Sequence, residues 1–340
     1  GKRLTNLESV PKVQFGTATD FFKRLEKDSP KLKKWVGELY LELHRGTFTS
    51  QAKVKKMNRK LENTLRMVEM LYSCLPLDQY PQAQIDRIWK VALLNQFHDI
   101  IPGSSITKVY EVTHEEYKDA LKELKELITH AGEKLFEKDE NQVTFFNSNH
   151  FEFNDCIEVD GFGKVEVEIP PYSFKSYLKS ELKAIKSDND GLILENGLIR
   201  YEFNANGEII SAFDKELQVE MIVESGNIFT LYDDHPNNWD AWDVDIFYEE
   251  AIVEKPRGSR VEGKSFAFRY KVGEKSILQQ SITLAPHSKR LDFNTSVDWH
   301  EKHRMLRVAF PVDIHSDHAS FDIQYGFYSA DCIVWTNTNF

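Results

Sequence analysis

Basic charge, cysteine and long apolar runs are all scarce in this chain, and each shortage argues against a class of function. Lysine and arginine number 43 against 54 aspartates and glutamates, a formal net charge of −11 at neutral pH. No basic excess is left to neutralise phosphates, which argues against a nucleic-acid partner. No apolar run approaches the roughly 20 residues of a membrane-spanning helix, so no membrane partner is expected. The three cysteines, Cys74, Cys156 and Cys332, are scattered without CxxC spacing. They read as free thiols of a reducing compartment, the cytoplasm. The first residues, Gly1-Lys2-Arg3-Leu4, lack the apolar core of a signal peptide. No internal repeat stands out. What remains is a globular composition, 41% hydrophobic and 12% aromatic over 340 residues, long enough for two domains.

The first half has helical periodicity. Met57, Leu61, Leu65, Val68, Leu71, Tyr72 and Leu75 recur at three- and four-residue steps until Pro76. Ile85, Ile88, Trp89, Ala92, Leu93 and Gln96 form a second stripe, and Tyr117, Ala120, Leu121, Leu124, Leu127, Ile128, Ala131 and Leu135 a third. Three helices with one apolar face each predict a three-helix bundle. Near Asp139 the pattern changes, with the charged stretch Glu137–Glu140 as the linker candidate. Val143–Asn147 and Val165–Pro170 read as short strands, and Leu198–Phe203, Asn206-Gly207 and Ile209–Phe213 as a hairpin whose turn uses positive φ angles. Strand-like runs continue at Phe266–Tyr270, Ile277–Ile282 and Leu306–Phe310. The expected class is therefore an α+β, multidomain chain: a three-helix bundle followed by an antiparallel β-sandwich domain.

Three segments carry chemistry. In Phe97-His98-Asp99-Ile100-Ile101-Pro102-Gly103-Ser104-Ser105 an imidazole and a carboxylate close an amphipathic helix, before a proline and glycine that cannot continue it. Neutral imidazole is a common zinc ligand, and the neighbouring carboxylate can accept hydroxyls or orient a ligand. On the dipeptide alone a structural role is the commoner outcome. One histidine cannot hold zinc either, and residues 94 and 102 are Leu94 and Pro102, so further ligands must come from distant positions or from outside the chain. In Gly37–Ser50, Arg45 beside Gly46 can offer a fork to a carboxylate or to sugar hydroxyls, or pair with Glu38 or Glu42. Between Asp233 and Asp245 lie five aspartates with Trp239 and Trp242. Sugar sites combine aromatic faces with carboxylates, because a pyranose has an apolar face and a hydroxyl rim. Calcium binding and a solvated acidic loop are the alternatives, though the EF-hand spacing is absent.

Together these segments resemble, in order, motifs of the bacterial type of glycoside hydrolase family 38 α-mannosidases. Gly37–Ser50, Asn95–Ile106 and Asp240-Ala241-Trp242-Asp243 carry the likeness, with Glu195–Arg200 and Val297–Arg304. The resemblance covers roughly residues 11 to 327. It implies a zinc-dependent retaining exo-α-mannosidase acting on mannose-containing oligosaccharide. By likeness His98 is a zinc ligand, Asp99 touches substrate hydroxyls, and Arg45, Asp240 and Trp242 lie beside the sugar.

The chain starts about where the family's N-terminal α/β domain ends, so the remaining zinc ligands, the nucleophile and the acid/base have no counterparts here. After Gly326 the run Phe327–Trp335 departs from the family pattern. The expected organisation is a lead-in at 1–27, a middle helical domain at 28–138 and an incomplete β domain at 140–340. The expectation is a central piece of such an enzyme, inactive alone. A rival reading is a carbohydrate-binding protein, or a remnant, that kept the fold. Exposed apolar surface where another domain docks would then favour self-association.

Overall fold

The computed structural model describes residues 8–34, 43–185, 189–262, 266–314, 318–323 and 326–331, with Thr5 and Ser316. The chain divides into two compact units, one of Gly1–Leu41 with Ser316–Asn337, the other of Glu42–His315 with Thr338–Phe340. In the first, helix α1 (Ala18–Leu25) starts at Thr17, whose hydroxyl oxygen accepts the Asp20 N–H at 3.1 Å. A hairpin pairs His318–Ile323 with Gly326–Asp331.

The second unit begins with helices α2 (Ala52–Ser73), α3 (Gln82–Asn95) and α4 (Thr107–Leu135). Pro76 lies just beyond α2, and its ring disfavours helical geometry at Leu75. Val54, Leu61, Leu65 and Val68 of α2, Ile85, Ile88 and Ala92 of α3, and Tyr117, Leu124 and Ala131 of α4 are buried in one shared apolar cluster. Burying a leucine or isoleucine side chain of this kind is worth about 1.5–3 kcal/mol.

Two details depart from the sequence pattern. Helix α4 begins ten residues ahead of the Tyr117 stripe because Tyr110 and Thr113 continue it inward at the same spacing. Leu93, expected inside, is 60% exposed. The inner line of α3 runs Ile85, Ile88, Ala92 and Asn95, and Leu93 stands one residue, about 100°, off it.

From Gln142 onward the described regular structure is antiparallel strand apart from one short 3-10 helix, Ile246–Glu250. Gln142–Asn147 pairs with Ser173–Leu178 and Phe153–Val159 with Gly163–Ile169. Those two strand pairs enclose their own core of Phe145, Val165, Val167, Ile169 and Leu182. Further on, a five-stranded, a three-stranded and a four-stranded sheet share a second core that includes Ile199, Phe203, Leu231, Phe268, Tyr270 and Leu278. Helices first and antiparallel sheets after them make the chain α+β and multidomain.

Ile199–Phe203 and Ile209–Asp214 form the expected hairpin, but only Gly207 takes a positive φ (83°). The Asn204 side chain takes over the turn by accepting the Asn206 and Glu208 N–H groups at 2.9 and 3.1 Å. Asn196 performs a similar service nearby. Its amide donates to the Ala285 and Ser288 carbonyls at 2.8 and 2.7 Å, while its oxygen accepts the Leu198 and Ile199 N–H groups.

The same corner buries Asp214, whose carboxylate receives the Lys289 ammonium at 2.8 Å. Lys289, followed by the Leu217 and Glu216 N–H groups, holds the Asp214 carboxyl below the ordinary aspartate range. A carboxyl depressed in the folded state stabilises it above the unfolded value of about 4, and that stabilisation disappears as pH falls through the folded value. Asp214→Asn should therefore lower the unfolding midpoint at neutral pH, with the difference from the parent shrinking below about pH 4. Urea titrations across that range check it; a constant difference would assign the effect to packing.

Candidate active site

The end of α3 is held from below by polar side chains inside the helical core. Asn95 is 1% exposed; its amide donates to Glu116 at 2.9 Å and its oxygen accepts the Thr113 hydroxyl at 2.8 Å. Gln96 donates to Glu62 at 2.7 Å, and the Tyr117 hydroxyl donates to buried Asn58 at 3.0 Å. Burial first, then the charges of Glu62 and Glu116, pushes the Tyr117 phenol up and keeps it a donor. The sequence held one signal of this arrangement: Asn95 occupies an inner position of an apolar stripe, where an unpartnered amide would be costly.

With that end anchored, residues 96–103 leave the helix in successive turns. The Ile100 N–H donates to the Phe97 carbonyl at 2.8 Å and the Gly103 N–H to the Ile100 carbonyl at 3.1 Å. His98 and Asp99 stand outward, 71% and 42% exposed, with the imidazole Nε2 3.3 Å from Asp99 Oδ2. The Phe97 and His98 rings lie 4.2 Å apart. The Ser104 hydroxyl reaches the other Asp99 oxygen at 3.4 Å, and Tyr110 links the Ser105 N–H to the Asp99 carbonyl.

This loop meets the turn that carries Arg45. Gly103 has φ +94°, and a Cβ there would lie 2.5 Å from the Ser50 carbonyl oxygen. Lys55 fastens the contact: its half-buried ammonium donates to the Ser50 and Ile101 carbonyls at 2.5 and 2.7 Å. Burial holds that ammonium below the ordinary lysine range. Nothing in the sequence distinguished Lys55 from the lysines beside it.

On its other side the same turn meets the tryptophan loop. A Cβ on buried Gly46 would approach the Trp242 carbonyl oxygen to 3.0 Å, and the Ser50 hydroxyl donates to the Ala241 carbonyl at 2.9 Å. The His44 ring packs edge-on against Trp242 at 4.7 Å, and the His44 N–H donates to Asp243. Trp242 is partly buried there, whereas Trp239 is 71% exposed and Asp240 faces solvent. Arg45 is half-buried, and among the described residues its Nε has no hydrogen-bond partner. Glu38 and Glu42, its alternative partners from the sequence, lie outside the described residues.

Behind the tryptophans, His235 stacks on His303 at 4.6 Å and its Nδ1 lies 2.8 Å from Asp233. Arg304 pairs with the other Asp233 oxygen. Burial, reinforced by Asp240, raises the Asp234 carboxyl above the ordinary range, with His235 and His303 opposing it. Of the ten non-glycine residues with positive φ among the described residues, five lie in these segments: His44, Gln51, Trp239, Ala241 and His303. Strain of that kind persists only where surrounding contacts impose it.

The three segments singled out in the sequence thus converge on the Arg45–Ser50 turn. Among the described residues no group of three or more His, Cys, Asp or Glu side chains is placed to hold a metal ion. His98 and Asp99 offer a nitrogen and an oxygen donor, suitable in kind for zinc but fewer than the three or four protein ligands such a site takes.

Comparison with known proteins places the chain in a family. The family description "Alpha mannosidase middle domain" matches residues 42–135, which hold Arg45, His98 and Asp99. "Glycosyl hydrolases family 38 C-terminal domain" matches residues 194–330, which hold Asp240 and Trp242. The chain belongs to glycosyl hydrolase family 38. Human alpha-mannosidase 2C1 is 33% identical over 359 residues, spanning 96% of this chain and 34% of that protein. Alpha-mannosidase G of Dictyostelium discoideum is 31% identical, spanning 96% of this chain and 37% of that protein. The chain therefore spans about a third of the length of these relatives. A solved family 38 protein from Enterococcus faecalis shares the fold with a TM-score of 0.62 at 17% identity, over 93% of this chain and 50% of that one.

Gly103 is the position at which the junction is most easily broken. Gly103→Ala forces a Cβ into the Ser50 backbone at a φ that disfavours it. A loss of about 1–3 kcal/mol is expected in denaturant unfolding. Faster amide exchange in residues 96–105 should accompany it.

Proposed function

We propose that this chain is the helical middle and first β-sandwich part of a zinc-dependent retaining exo-α-mannosidase acting on terminal α-mannosyl residues of glycans. On this reading residues 28–138 form the three-helix bundle domain and 140–340 belong to the sandwich. The observation that carries the reading is the convergence of the His98-Asp99, Arg45–Ser50 and Asp240–Asp243 segments on one turn, bridged by Lys55.

His98 donates an imidazole lone pair to the metal, and Asp99 accepts hydrogen bonds from substrate hydroxyls. Arg45, Asp240 and Trp242 supply donors, an acceptor and an apolar face around the sugar. Bound zinc supplies Lewis-acid polarisation of oxygen and a fixed template. Retaining hydrolysis takes two carboxyl groups about 5 Å apart, one as nucleophile and one as acid/base. Asp99 cannot fill both roles, so those groups and the other zinc ligands come from further parts of a longer polypeptide.

No described helix is long and apolar enough to cross a membrane. Cys74 and Cys156 are free thiols, in keeping with the proposed cytoplasmic setting. Leu93, Leu94 and Phe97, 52–61% exposed beside His98, form the face through which the isolated chain would self-associate.

The isolated 340-residue chain should not turn over an aryl α-mannoside with or without zinc. In a longer family protein that includes it, His98→Ala should reduce activity by more than the roughly 10–100-fold typical of outer-shell changes at metal sites. Turnover by the isolated chain, abolished by His98→Ala, would contradict the dependence on outside groups. The exposed Trp239 favours one second reading, a carbohydrate-binding protein without catalysis. Calorimetry with mannose oligosaccharides separates the two, because that protein binds without zinc and tolerates His98→Ala.

A further inference from the structure

The outer face of the four-stranded sheet gathers positive charge that the mannosidase reading leaves without a role. Its strands run in the order Gly258–Arg260, Ala267–Val272, Ser276–Leu284 and Leu291–Asp298. In Ala267–Val272, Phe268, Tyr270 and Val272 point into the core, so Arg269 and Lys271 point out. Ser259 lies opposite Arg269, which puts it on the same face, and Arg257 lies two residues before it. Across the other edge Lys271 is opposite Ile277, and Lys275 lies two residues before that. Period-two alternation and strand register thus bring Arg257, Arg269, Lys271 and Lys275 to one face.

These cations line a concavity of about 440 Å³ together with Ser259, and Glu274 is the one carboxylate in its wall. Among the described residues, none of the four takes part in an ion pair. The chain as a whole carries a net charge of −11, so four cations lining one concavity run against its overall balance. Like charges gathered on one face repel one another unless an anion sits between them. Two guanidinium forks beside two ammonium groups offer the donors that a tetrahedral oxyanion accepts.

We propose that this concavity binds a tetrahedral oxyanion, free or carried as the phosphate or sulfate ester of a sugar. The site is separate from the His98 junction and does not depend on the mannosidase assignment.

Calorimetry on the intact chain at low ionic strength tests it with inorganic phosphate, a hexose 6-phosphate and the unphosphorylated hexose as probes. Saturable phosphate binding is expected with a Kd at or below about 1 mM. It should weaken about tenfold in Arg269→Gln and in Lys271→Gln. Both positions are exposed, so folding should be unaffected, and circular dichroism checks this. Lys122→Gln, the same charge change on exposed α4, should leave binding intact. Tighter binding of the hexose phosphate than of phosphate identifies a sugar ester as the ligand; equal affinity identifies the oxyanion alone. Absence of saturable phosphate binding, equal weakening by Lys122→Gln, or equal binding of the unphosphorylated hexose would overturn the proposal.

Discussion

Two close backbone approaches organise the candidate site, Gly103 against the Ser50 carbonyl and Gly46 against the Trp242 carbonyl. Neither position has room for a Cβ without displacement. The turn between them is the shared wall of two loops that come from parts of the chain about 140 residues apart. Close approach alone would leave carbonyls crowded and unsatisfied, and Lys55 resolves that by donating to one from each side. Half-burying an ammonium without a carboxylate costs hydration, and two short charge-assisted hydrogen bonds offset that loss.

Behind that junction the two halves of the unit use the same device for different ends. Side-chain amides, buried at Asn95 and half-buried at Gln96 and Asn196, fix the places where regular structure stops. Asn95 and Gln96 tie the end of α3 to α2 and α4, which sets the direction from which His98 and Asp99 project. Asn196 ties a strand entrance to the 285–288 turn. Both asparagines lie in segments that resemble family 38 motifs, yet their contacts here are structural. A motif can therefore mark scaffold as readily as chemistry.

Much of this was legible in the sequence. The helical stripes placed the bodies of α2, α3 and α4, because their inner positions repeat at 3.6-residue spacing and proline ends α2. The Val165–Pro170 run was legible by its alternation, and Phe266–Tyr270 as a strand-like run; the strands found are Gly163–Ile169 and Ala267–Val272. What escaped was whatever depends on distant chain: Lys55 reads like any solvated lysine until Ser50 and Ile101 are beside it. The Asn206-Gly207 turn was placed correctly but given the wrong geometry, since Asn204 competes for its backbone groups. Of the site residues, His98 and Asp99 were found as a helix-ending pair, and Arg45 and Trp242 as segments. That they meet on one turn follows only from the fold.

The most direct test of that convergence is selective NMR of the His44, Trp242, Ser50 and Gly103 protons in the intact chain. The account predicts cross-relaxation between the His44 and Trp242 rings, whose centroids are 4.7 Å apart, and between Gly103 and Ser50. Absence of both contacts in a folded sample would show that the three segments do not share a wall, and the site described here would not exist.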